Sequence, residues 1–271
     1  MGPRRFLFID NHEGSAFFEF TLDADDAKTH RIRRRRLVGV EKGQLGDPEG
    51  LTRVDLNGET YLIAASSLCI EQRHINDGLV RARYVTDGDL DAEVMPGFRT
   101  WLLSNEPSLA EVGDLEPDAG GLNIEGLAWD GRTRALLFGL RGPAKAGQMV
   151  IIRVPVDAGA APWKTSALGA PTVLSVNIPE SKAAQGIRDI SYDEQTGDFL
   201  ILLGRSLSRD DDPFRLCTWN GGDDVKLLDL KFHQSMKPEG VTTYSDGDHT
   251  KLLVVDDRGG YAVVNPRQRW G

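Results

Sequence analysis

The fold is decided by residues 121–129, GLNIEGLAW, and the apolar run ALLFGL at residues 135–140 that follows them. The first segment places an acidic residue and a glycine, Glu125 and Gly126, at the start of a β-strand. A turn and a second, buried strand come next, because an uninterrupted apolar run of this length is typical of a strand in a core. Similar strand–turn–strand units occur elsewhere along the chain.

The repeat becomes clear when four acidic residues are aligned. They are Glu49, Glu125, Asp189 and Glu239, at intervals of 76 (125 − 49), 64 (189 − 125) and 50 (239 − 189) residues. Repeated all-β units at such intervals, without helices between them, predict a β-propeller. The first strand of each propeller blade lines the central channel, so the alignment predicts a ring of carboxylates there.

We therefore predict one all-β domain over residues 1–271, a β-propeller of about five blades. The blades would span roughly residues 1–45, 46–120, 121–184, 185–235 and 236–271. The first blade is incomplete, since the hairpin at residues 6–22 matches the second and third strands of a blade and only five residues precede it. Apolar residues at helical spacing predict one short inserted helix near residues 98–112.

Composition limits the possible functions. The 271 residues include 32 basic and 41 acidic ones, so the net charge of −9 argues against nucleic-acid binding. No apolar run approaches the ~20 residues that cross a bilayer, and we expect a cytoplasmic protein that binds no membrane. The two cysteines and five histidines show no metal-ligand spacing.

Four short segments resemble a known bacterial family. They are GLNIEGLA at residues 121–128, GLRGP at 139–143, GIRDI at 186–190 and PEG at 238–240. Together they resemble the family known as domain of unknown function 3616, over about residues 46–265. The resemblance implies a β-propeller related in pattern to esterase-like phytase domains. It implies no established activity and supplies no catalytic residues, and family members usually begin with a complete first blade.

The predicted carboxylate ring needs cations, because its charges repel one another where water screens them poorly. One candidate is calcium, which accepts six to eight oxygens. Glu49, Glu125, Asp189 and Glu239 would supply part of this shell, and Asn123 or Asn11 a further oxygen. A bound metal polarises an ester or phosphoryl oxygen and activates water. This hypothesis predicts a metal-assisted hydrolase of a small phosphate ester, ester or lactone.

The other source of positive charge is the chain itself. Arg188 is adjacent to Asp189, and Arg141 ends the second strand of its blade. Together with Arg205, Arg258 and Lys237 they would form a structural network with the acids. The protein would then be a non-catalytic propeller that binds a ligand or another protein. A third possibility is an acid–base pocket for an anionic small molecule.

The residues that we expect to bind an anion or substrate are Arg141, Arg188, Asn123, Asp256 and Asp257. We expect the partner to be a small polar molecule, a cation or a protein. No residue is assigned as catalytic. The two main hypotheses differ in whether the carboxylates point at a common empty point or at arginines.

Overall fold

The computed structural model describes residues 4–23, 30–208 and 212–265. The chain is mostly β, which confirms the predicted class, and its sheets are arranged as in a propeller. The described residues contain no helix that is long and apolar enough to cross a membrane.

Three antiparallel strands, ordered β1-β2-β3, form one end of a seven-stranded sheet, and this end is the N-terminal sheet. They are β1 (Arg5–Phe8), β2 (Ala16–Leu22) and β3 (His30–Val38). The aromatic strand β2 is largely buried, whereas the arginine-rich strand β3 is largely exposed.

The next sheet begins with β4 (Pro48–Leu56) and β5 (Glu59–Ser66) and adds β8 (Leu79–Arg83) and β9 (Leu90–Met95). The small hairpin of β6 (Ile70–Glu71) and β7 (His74–Ile75) lies between them in sequence. A short parallel pairing of Leu37 with Leu90 and Val38 with Asp91 joins this sheet to the N-terminal one.

Three further sheets repeat the antiparallel order. The first contains β10 (Asn123–Asp130), β11 (Ala135–Gly142), β12 (Gln148–Pro155) and β13 (Thr172–Asn177). The second contains β14 (Gln185–Tyr192), β15 (Phe199–Arg205), β16 (Arg215–Trp219) and β17 (Val225–Leu227). The last has three strands, β18 (Pro238–Asp246), β19 (His249–Asp256) and β20 (Tyr261–Val264).

The prediction of one inserted helix is wrong in its number. The described residues contain two helices, α1 (Phe98–Asn105) and α2 (Pro107–Gly113), besides 3-10 turns at Pro117–Ala119 and Thr165–Ala167. Glu106 separates α1 from α2 in an extended conformation (φ −130°, ψ 90°). The ring of Pro107 disfavours a helical conformation at the residue before it, so the chain must leave the helix there and start a new one.

A repeated turn follows three of the innermost strands. An aspartate near the end of the strand accepts a hydrogen bond from a threonine hydroxyl after it, a local side-chain bond of the kind that favours turns. The pairs are Asp55 with Thr60, Asp130 with Thr133 and Asp193 with Thr196. This turn chemistry ties the second strand of each unit to the first.

The innermost strands β4, β10, β14 and β18 contact one another in that order. The N-terminal sheet lies between the last sheet and the first. On one side, Phe20 and Leu22 pack with Leu253 of β19. On the other side, Phe17 packs in a cluster with Leu62 of β5. The hydrophobic clusters therefore continue around a central channel.

We expect Gly50→Ala to lower the free energy of unfolding by about 1–3 kcal/mol, the usual cost of overpacking a core. A Cβ atom at Gly50 would lie 2.5 Å from the Cβ atom of Leu127, in the next innermost strand. Gly131→Ala is the matched control, because its nearest neighbour there would be 3.5 Å away. Urea unfolding measures both variants. Equal stability of the two would contradict this tight contact between strands.

Candidate functional site

The channel site is built from one irregularity that all four innermost strands share. Each has a β-bulge near its start, where one residue is left out of the pairing with the next strand. The four bulged residues are Glu49, Glu125, Arg188 and Glu239. Bulges redirect side chains and occur often beside functional sites.

The structure shifts the third member of the predicted column by one residue. The bulge in β14 leaves out Arg188, while Asp189 pairs with Leu202. Asp189 stands where the other strands have Gly50, Gly126 and Gly240. The signal for this alignment is the residue before each bulge, which is proline or isoleucine in all four strands.

Asp189 has a different role from the glutamates. Its carboxylate accepts a hydrogen bond of 2.7 Å from the backbone N–H of Val241 and so links β14 to β18. Burial raises the pKa of Asp189 to about 7, although this bond and one from its neighbour Ile190 favour the charged form.

Arg188 lies at the centre of the glutamates. Its Nε donates to Glu239 Oε2 at 2.8 Å, and its Nη2 bonds to the same carboxylate. Its Nη1 lies 2.9 Å from Glu125 Oε2. The guanidinium thus bridges two carboxylates on strands to either side of its own. These carboxylates raise the pKa of Arg188 despite its burial, so it stays charged.

Glu125 is the most deeply buried of the three glutamates Glu49, Glu125 and Glu239. Its side chain is 4% exposed, and Arg141 Nη1 donates to its Oε1 at 2.9 Å. Asn123 Nδ2 makes a long hydrogen bond of 3.4 Å to the same oxygen. The other amide atom, Asn123 Oδ1, is buried and has no hydrogen-bond partner among the described residues.

Glu49 differs from the other two glutamates because no described residue forms a hydrogen bond or ion pair with its carboxyl group. Burial raises the pKa of Glu49 well above its usual value, and the charges of Glu125 and Asp47 raise it further. Arg188 acts in the opposite direction but is already engaged by the other acids. Burial also raises the pKa of Glu239, to about 7.

Asp256 and Asp257 lie farther along the channel wall. Asp256 Oδ2 accepts a hydrogen bond of 2.6 Å from the backbone N–H of Lys237, and its Oδ1 accepts one from the N–H of Arg258. Asp257 is half-exposed and lies 3.7 Å from the ammonium of Lys237. Both acids therefore hold the turn at the end of β19.

The glutamates open into a cavity of about 2520 Å³. Its walls include Glu49, Glu125, Arg141, Arg188 and Glu239, together with residues along the whole of β1. Such a volume holds a sizeable ligand, since typical small-molecule pockets measure roughly 300–1,000 Å³.

The arrangement fits a guanidinium better than calcium. The carboxylates of Glu125 and Glu239 converge on Arg188, whose own charge would repel a metal ion there. In the part of the chain that the structure describes, no three His, Cys, Asp or Glu residues are grouped to hold a metal. Calcium therefore stays a prediction from the sequence.

Comparison with known proteins identifies the family. The sequence model described as "Protein of unknown function (DUF3616)" matches residues 29–266. This match confirms the family predicted from the sequence, while the likeness to esterase-like phytase domains stays a prediction. No curated protein has a significantly similar sequence.

Two of the matching solved structures are only distantly similar to this chain. A GH43 glycoside hydrolase, engineered to display endo-xylanase and exo-arabinofuranosidase activity, is 13% identical with a TM-score of 0.49. The match covers 81% of this chain but 39% of the hydrolase chain. A catalytically inactive virginiamycin B lyase from Staphylococcus aureus, with quinupristin, is 10% identical with a TM-score of 0.36, over 98% and 71% of the two chains. No activity follows for this protein from such values.

Proposed function

The chain belongs to the DUF3616 family, which prescribes no activity, and we propose from its site that it is a ligand-binding propeller of five blades. The fifth blade is the N-terminal sheet. The channel binds a polar ligand through a cationic group at Glu49. Arg188, Glu125, Glu239 and Arg141 form the framework that holds the site together.

One observation carries the proposal: Glu49 faces the cavity without a hydrogen-bond partner among the described residues, while Glu125 and Glu239 are engaged by arginine. Three glutamates face two arginines, so one negative charge is left over when all are ionised. Glu49 is half-buried, and a partly desolvated carboxylate without a partner resists ionisation, in line with its raised pKa. A ligand cation would offset this effect and lower the pKa of Glu49.

The test is calorimetric titration with N-acetyl-arginine amide and N-acetyl-lysine amide, with N-acetyl-glutamine amide as the neutral probe. We expect a cationic probe to bind and Glu49→Gln to weaken its binding at least tenfold, about 1.4 kcal/mol. Binding should strengthen as the pH rises, because the cation requires the ionised carboxylate.

Glu111→Gln is the control, since Glu111 is exposed on α2, outside the channel. It should bind the probes as the wild type does. Equal affinity of Glu49→Gln and wild type, or failure of both cationic probes to bind, would overturn the proposal.

A metal-assisted hydrolase of a small phosphate ester, ester or lactone is the second candidate. The unpartnered buried oxygen of Asn123 favours it, because calcium seeks neutral as well as charged oxygens. Under this hypothesis calcium raises the melting temperature of the wild type but not of Glu49→Gln. A panel of phosphate-ester and lactone substrates should then show calcium-dependent turnover. No calcium effect on melting would eliminate this candidate.

A further inference from the structure

Among the described residues, the N-terminal sheet has no strand in the position that lines the channel in the other sheets. Its strand nearest the channel is β1, which pairs with β2 on one side and with no described strand on the other. The cavity runs along β1 and is bounded by β18 and β4. Within the described residues, the space of one innermost strand is therefore part of this cavity.

The free edge of β1 carries unpaired backbone groups. The N–H of Leu22 donates to the carbonyl of Arg4 at 3.0 Å. Arg4 and Leu22 are therefore a hydrogen-bonded pair, and non-hydrogen-bonded and hydrogen-bonded pairs alternate from there along β1. The N–H and C=O groups of Arg5 and Leu7 consequently point away from β2, towards the cavity. No described backbone group bonds to them. Such an edge is a template for a further strand.

The walls beside this edge are apolar on both faces of the sheet. Leu7 packs in a cluster with Leu51 of β4. Phe6 and Phe8 belong to the cluster that includes Tyr244 of β18. All five side chains are half-buried and line the cavity. An added strand with apolar residues on both faces would complete both clusters.

The charges beside the free edge of β1 predict one further feature of an added strand. Around the channel, Arg188 lies between Glu125 and Glu239 and pairs with both. The position of the missing strand lies between Glu239 on β18 and Glu49 on β4. A basic side chain there would repeat the pattern of Arg188 and give Glu49 a partner.

We propose that the channel binds an extended peptide segment that pairs with the free edge of β1 and places an arginine or lysine side chain between Glu239 and Glu49. The segment carries apolar residues on both faces and becomes the innermost strand of the N-terminal blade. This is strand addition, in which backbone hydrogen bonds supply affinity and side-chain pockets supply specificity. The proposal rests on the cation site at Glu49 and adds the peptide backbone as a second determinant.

The probe is an acetylated and amidated ten-residue peptide of valine and threonine with one central arginine. Two variants of this peptide are compared with it. In the first, glutamate replaces the arginine. In the second, alternate backbone nitrogens carry N-methyl groups, and both alternations are made so that the N–H groups facing β1 are blocked in either register. We expect the arginine peptide to bind at least tenfold more tightly than either. Hydrogen exchange at the amides of Arg5 and Leu7 should slow when it binds.

Two variants of the protein, tested with the same peptides, probe the same contacts. Leu7→Pro removes an edge N–H that β2 does not use, and we expect at least a tenfold loss of peptide binding while N-acetyl-arginine amide binds unchanged. Glu49→Gln should remove the preference for arginine over glutamate. Circular dichroism and the melting temperature show whether Leu7→Pro folds. If it does not fold, the comparison of the methylated and unmethylated peptides still tests the backbone contacts with β1.

The outcomes separate the two proposals. Equal affinity of the methylated and unmethylated peptides, or no change in hydrogen exchange at Leu7, refutes strand addition and leaves the cation site standing. Binding of the peptide in all three forms with no effect of Glu49→Gln refutes both. If the peptide binds with backbone dependence but without a preference for arginine, and the cationic amides do not bind, only the pairing with β1 holds. The cation site and the placement of a basic side chain beside Glu49 then fail.

Discussion

Arg188→Met should lower the free energy of unfolding by about 3–5 kcal/mol at pH 7.5, the cost of removing one partner from a buried ion pair. The variant leaves Glu125 and Glu239 facing each other without the guanidinium that now bridges them. Methionine fills much of the same volume, so the loss reports charge rather than a cavity. Denaturant unfolding at equilibrium measures the effect.

The pH dependence and a control distinguish this network from general destabilisation. The loss should shrink towards pH 5, because burial raises the pKa of Glu239 to about 7 and its protonation below that value removes the repulsion that Arg188 offsets. Arg83→Met is the control: its ion pair with Glu59 is largely exposed and should contribute little. If Arg188→Met changed stability no more than Arg83→Met, the framework proposed for the channel would be wrong.

Asp189→Asn should make the protein more stable than the wild type at pH 8 and leave it nearly unchanged at pH 4. The folded-state pKa of Asp189 is raised to about 7 by burial, while an unfolded aspartate titrates near ~3.9. A raised acid pKa stabilises the fold fully below the unfolded value, and this stability is lost as the pH rises through the folded value.

The stability that the protonated Asp189 confers is therefore lost between about pH 4 and about pH 7. This loss in the free energy of unfolding is at most about 4 kcal/mol, at 1.36 kcal/mol per pKa unit. Asparagine cannot ionise, and its amide oxygen can still accept the N–H of Val241. Asp248→Asn, at an exposed position, serves as the control. A wild type and an Asp189→Asn variant with parallel stability profiles from pH 4 to 8 would disprove this assignment.

Much of the fold could be predicted because it depends on local signals. Alternating and continuous apolar runs set the innermost and second strands, and turn residues such as Asn57-Gly58 separate them. The short outer strands β9 and β17 were not predicted, because few residues there carry a strand pattern. The break between α1 and α2 needed the conformation of Glu106 as well as the presence of Pro107.

The site could be predicted less completely. Aligning the acids placed Asp189 beside the glutamates, since the sequence shows which residues recur but not which one a bulge leaves unpaired. The register of β14 against β15 decides that Arg188 is the bulged residue. A shift of one residue exchanges a carboxylate for a guanidinium and so changes the chemistry of the whole channel.

The mostly β class and the repeated units could be predicted from the chain alone, because strand periodicity and turn chemistry act over a few residues. The family could be predicted as well, from the four short motifs at residues 121–128, 139–143, 186–190 and 238–240. Contacts between strands determine which carboxylates Arg188 satisfies. They also determine that, among the described residues, Glu49 has no partner and β1 has a free edge at the channel. These properties arise between strands that lie far apart in the chain. They depend on register and on the closing of the ring, which no local pattern encodes.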